Sequence, residues 1–115
     1  MKQTFRAWLE TRAGNNFGHT AIGLALCLIV ASVLWLLPVG LDLTQCLWAG
    51  WLYQSAYWHG RETAHFEIHT GVDSYGRWWH SMNPLNWRGR DESPDFWAPV
   101  VCVLVFVLAV SGTLL

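Results

Sequence analysis

The stretch YWHGRETAHFEIHTG, residues 57 to 71, sets three histidines, two glutamates and an arginine inside a chain otherwise rich in aliphatic and indole side chains. On a continuous helix His59, Glu62, His65 and His69 recur at spacings of three and four, which puts them on successive turns of one face. Imidazole nitrogens and a carboxylate so placed could chelate zinc or iron, and His80 from the segment that follows could add a further ligand. The Glu-x-x-His unit occurs once, however, whereas a carboxylate-bridged di-iron bundle uses it twice with further glutamates, and His-Glu-x-x-His is absent. The same residues also read as a solvated helix extension ending at Gly71, with no cofactor. Arg61 then reaches lipid phosphates, and Glu62 or Glu67 pairs with it.

The elements that would carry these residues are apolar. The chain has 115 residues, enough for one domain, and is 53% hydrophobic and 13% charged, against about 25% charged in a soluble domain. Seven basic and eight acidic residues form no clustered basic face, which excludes a nucleic-acid partner. From Phe17 to Val39 the only ionisable residue is His19, and AIGLALCLIVASVLWLLPVG is long enough to cross about 30 Å of hydrocarbon. FWAPVVCVLVFVLAVSGTLL, residues 96 to 115, holds no charge and starts with aromatics. Between them LDLTQCLWAGWLYQSAYW, residues 41 to 58, is long enough to span but carries Asp42, Thr44, Gln45 and Gln54.

The expected fold is therefore all-α: an integral membrane protein with three transmembrane helices, at about 18–37, 41–59 and 96–114. An N-terminal interfacial helix displaying Phe5, Trp8 and Leu9 precedes them, and a Trp-rich cytoplasmic segment fills 60–95. Every basic residue then lies on one side: Lys2, Arg6 and Arg12 before the first span, and Arg61, Arg77, Arg88 and Arg90 in the central segment. The positive-inside rule places the N-terminus in the cytoplasm and the C-terminus outside. The N-terminal apolar run is longer than a signal-peptide core and lacks a small-x-small cleavage site, so it is expected to stay attached.

Cys27, Cys46 and Cys102 show no paired spacing and read as small packing residues. Gln45, Ala49, Gly50, Gln54 and Ser55 are the candidates for an oligomer contact or a pore lining, because polar and small residues in a lipid-embedded helix favour close partners. Arg61, Glu62, Trp78, Trp79, Trp87 and Trp97 are the candidate interface anchors. Asn83-Pro84 and Ser93-Pro94 interrupt any helix between the second and third apolar runs, and Asp91, Glu92 and Asp95 suit the start of the last one.

YWHGRE at 57–62, WWHSMNPLNW at 78–87 and DFWAPV at 95–100, in that order after a short basic N-terminus, resemble segments of small holin-like inner-membrane proteins of tailed bacteriophages and prophages. The resemblance covers most of the chain and carries no catalytic signature. It implies a bacterial inner-membrane protein, not an enzyme, that oligomerises and permeabilises or conditions the membrane during lysis. Its partners would be the lipid bilayer, copies of itself and a phage or host membrane protein. The ends depart from the three-span holins, which have an external N-terminus and a basic C-terminal tail, whereas this chain ends at SGTLL. Two other expectations follow from the residues: a membrane-anchored interaction protein or accessory subunit docking through the aromatic loop, and a metal-binding membrane enzyme built on His59, Glu62, His65 and His69.

Overall fold

The computed structural model describes Ala7 and residues 11–70, 81–87 and 92–114. Three long helices make up most of it: α1 from Arg12–Leu36, α2 from Leu43–Thr70 and α3 from Glu92–Leu114. A short 3-10 helix, η1, covers Pro84–Trp87. No strand occurs among the described residues. The interfacial helix expected at the N-terminus, and Arg77, Trp78, Trp79, His80, Arg88 and Arg90 of the central segment, lie outside the described residues.

Local chemistry sets the helix ends. Thr11 caps α1, its side chain accepting a hydrogen bond from the Gly14 amide at 3.2 Å. The helix stops at Leu37, whose backbone is extended as the residue before Pro38 requires. Gly40 turns the chain at a positive φ of 75°, a conformation that disfavours any side chain. α2 then opens on a reciprocal capping pair: the Asp42 carboxylate accepts from the Gln45 amide at 2.8 Å, and the Gln45 side-chain oxygen accepts from the Asp42 amide at 3.0 Å. Each pair satisfies backbone donors that a helix start leaves open.

Each helix packs on the other two. α2 runs antiparallel to both neighbours, so α1 and α3 point the same way: Asn15 bonds Asp95 near their starts, while His69 at the end of α2 meets Glu92. One half of the core holds Cys27, Ala31, Cys46, Leu47, Val103 and Val107. The other holds Trp58, Phe66, Trp87, Phe96 and Val100, with Trp51 packed against both. Two glycines permit this closeness. A methyl group at Gly50 would overlap the Cys27 carbonyl, and one at Gly23 would lie 2.7 Å from Gln54 Oε1 and 3.1 Å from Pro99.

Among the described residues two helices, not three, are long and apolar enough to cross a membrane: Gly14–Leu36 and Glu92–Thr113. The expected span at 41–59 is corrected on this point. Its apolar appearance came from Trp48, Trp51, Tyr53, Tyr57 and Trp58, large rings that each carry an N–H or O–H in need of a polar partner, and Gln45, Gln54 and His59 lower its apolarity further. The helix continues without a break through Arg61, Glu62 and Glu67 to Thr70, as the extension ending at Gly71 anticipates, but Glu62 and Phe66 on it are buried and not solvated. The two apolar helices keep much of their surface outward, with Ile29, Val33 and Leu36 on α1 and Val101, Val105 and Leu108 on α3 exposed.

Candidate functional site

The polar residues of the bundle gather at the end where α1 and α3 begin. Glu62 sits at their centre with no exposed surface. Its Oε1 accepts from Arg61 Nη1 at 2.7 Å. Its Oε2 is buried without a hydrogen-bond partner, the nearest charge-bearing group being His65 Nδ1 at 3.5 Å. Helical periodicity explains the pair, since residues three apart stack on one face. Arg61 lies over the Trp58 ring, 5.3 Å from its centroid, in a cation–π contact.

α1 and α3 supply the other walls. His19 Nε2 lies 3.4 Å from Arg61 Nη1, and His19 Nδ1 lies 3.3 Å from Asp95 Oδ1, although out of line for a hydrogen bond. A guanidinium only donates, so Nε2 is the acceptor and the ring proton belongs on Nδ1, facing Asp95. Asp95 also accepts from Asn15 Nδ2 at 2.7 Å. The His19 ring stacks at a tilt on Trp58, centroids 4.8 Å apart. Burial pushes the Glu62 carboxyl up to about 7, with the charge of Asp95 adding to the rise and Arg61 opposing it.

The four histidine and glutamate candidates for a metal do not converge. His59 Nε2 donates to the Met82 carbonyl at 2.6 Å, and its ring packs near Trp87 and Phe96. His69 turns to Glu92, with Nδ1 2.9 Å from Oε1. Only His65 stays beside Glu62. Among the described residues no group of three His, Cys, Asp or Glu side chains is placed to hold a metal ion.

The oligomer and pore candidates are largely occupied within one chain. Gln45 is the exposed partner of the α2 cap. Gly50 is buried beneath Cys27, and Gln54 is buried with its Nε2 donating to Ser55 at 2.9 Å. Gln54 Oε1 and Trp58 Nε1, both buried and without hydrogen-bond partners, face the Gly23 notch. Ala49 is half-buried. Of the expected anchors, Trp97 is exposed on α3. Trp87 is fully buried, its indole donating to the Ser81 carbonyl at 3.0 Å, so this part of the aromatic segment folds onto the bundle.

Sequence reasoning missed the partners from outside α2. His19 stood out only as the sole ionisable residue in an apolar run, and Asp95 and Glu92 read as helix-start charges. The usable signal was an ionisable residue set in an apolar run, which calls for a named partner. Comparison with protein-family models, with curated proteins and with solved structures finds no match.

Proposed function

We propose that the chain is a small bacterial inner-membrane protein of the holin-like phage or prophage type, which self-associates and permeabilises or conditions the bilayer during lysis. The observation that carries this reading is the inside-out distribution of polarity: Gln54 and Glu62 are buried within the bundle, while aliphatic side chains of α1 and α3 cover its outside. Such a surface suits lipid tails. The basic residues favour the end bearing Glu62 as the cytoplasmic one, with the C-terminus outside.

Within one copy the described helices pack directly on one another. Permeabilisation on this reading needs helices from several copies to exchange contacts, bringing Gln54 and Ser55 out of the bundle core. A membrane-anchored interaction protein is the second reading, favoured by the outward Leu52, Tyr53 and Tyr57 on α2. Purified protein reconstituted in vesicles of anionic bacterial lipid should release a small trapped dye and cross-link to species larger than a monomer. Vesicles that stay tight while the protein remains monomeric would sink the lytic reading, and a stoichiometric host membrane protein retained through gentle detergent extraction would move the assignment to the second.

A further inference from the structure

The Glu62 cluster is not used by a purely lytic role, and its geometry suits a specific ligand. Glu62 is completely buried, one oxygen is held by Arg61 and the other has no hydrogen-bond partner. The titratable and charged groups around it come from every helix: Arg61 and His65 from α2 lie against it, Asp95 and Glu92 from α3 act on it through their charge, and His19 from α1 lies beyond Arg61. A metal cation is a poor occupant, because the Arg61 guanidinium already lies on Oε1 and the remaining donors do not converge. A neutral polar molecule would leave unrelieved the repulsion between the Glu62 charge and those of Asp95 and Glu92. A proton suits both: it gives Oε2 a hydrogen to share and removes a buried negative charge from beside two other carboxylates.

We infer that Glu62 is a reversible proton-binding site inside the bundle, loaded from the surface through His65. The path is short. His65 is partly exposed and its Nδ1 lies 3.5 Å from Glu62 Oε2, while the more exposed His69 ring stands one turn further out at 5.9 Å between centroids. In the loading step His65 passes its Nδ1 proton to Glu62 Oε2 and takes a replacement on Nε2 from bulk water. The net change is one proton taken from solvent and one negative charge lost at Glu62. The neutral carboxylic acid then competes less well for Arg61, leaving the guanidinium freer to serve His19. Burial, which lifts the carboxyl toward neutrality, makes this exchange accessible at ordinary pH.

The test is infrared spectroscopy of the full chain in lipid nanodiscs, following the carbonyl stretch of protonated carboxyl groups between about pH 5 and pH 9. The wild type should show a band that disappears as pH rises through neutrality. That band should be missing from Glu62→Gln and retained in the Glu67→Gln control. No titrating band above about pH 6, or a band that survives Glu62→Gln, overturns the proposal. Should Glu62→Gln lose its helical circular dichroism, carbon-13 NMR of labelled glutamates in the wild type decides instead: no glutamate carboxyl titrating near neutrality overturns it equally. After a pH jump His65→Ala should slow the band's response several-fold, and an unchanged rate removes the His65 route.

Discussion

A carboxylate with no exposed surface couples the fold to pH whatever its biological use. The folded-state pKa of Glu62, about 7, lies above the ordinary 4.5, so between those values the folded chain keeps a proton that the unfolded chain gives up. The contribution of Glu62 to stability is therefore fully present below about 4.5, declines as pH rises, and is lost above about 7, a difference on the order of 3 kcal/mol. Thermal unfolding in nanodiscs should show wild-type melting temperature falling across that window and a nearly flat profile for Glu62→Gln. Equal slopes in the two proteins would place the pH dependence elsewhere. The half of this site that lies on α2 was legible, because ExxH spacing on a helix brings Glu62 and His65 together by geometry alone. Asp95 was not, since it lies 76 positions from His19 and only the parallel packing of α1 and α3 joins them.

Among the elements, α2 is the one whose character changed between sequence and structure. Its limits were partly readable: Pro38 and Gly40 mark the turn before it, and Cys27 and Cys46 fill the core as small residues should. Its continuation to Thr70 was legible as the helix extension ending at Gly71, whereas its insufficient apolarity was hidden because five tryptophans and tyrosines count as grease in composition yet carry polar atoms. Removing one half of its cap by Asp42→Ala should cost about 1 kcal/mol, visible as faster amide exchange in the first turn of α2. Gly50→Leu should act more severely. Its side chain meets the Cys27 backbone of the same molecule, so the expected result is loss of helix packing in the monomer by about 3 kcal/mol or more. A variant that melts like the wild type but fails to cross-link would instead assign Gly50 to a contact between copies.

For the whole molecule, orientation is the accessible question. With the Glu62 end cytoplasmic, alkaline phosphatase fused after Leu115 should be active and a fluorescent cytoplasmic reporter at the same place dark; the reverse pattern would invert the proposed orientation. The ties between helices are distributed unevenly along the bundle. Near the starts of α1 and α3 they are ionic and hydrogen-bonded, through Asn15, His19, Arg61, His69, Glu92 and Asp95. Beyond the Trp51 indole, which donates to the Val100 carbonyl at 2.9 Å, the helices meet through Cys27, Ala31, Leu47, Val103 and Val107. Hydrocarbon tails offer such side chains neighbours as apolar as those they already have, so in a bilayer this half is held by fit and one weak hydrogen bond, from Cys27 Sγ to the Leu47 carbonyl at 3.6 Å, whereas its partner half is fastened by charge. On the proposed membrane reading the molecule is a clothes-peg with its spring at one end: acyl chains would part its jaws without unlatching the spring. Spin-label distances at Val39 and Ser111 should broaden in thin or short-chain lipid while those at Asn16 and Trp97 hold constant.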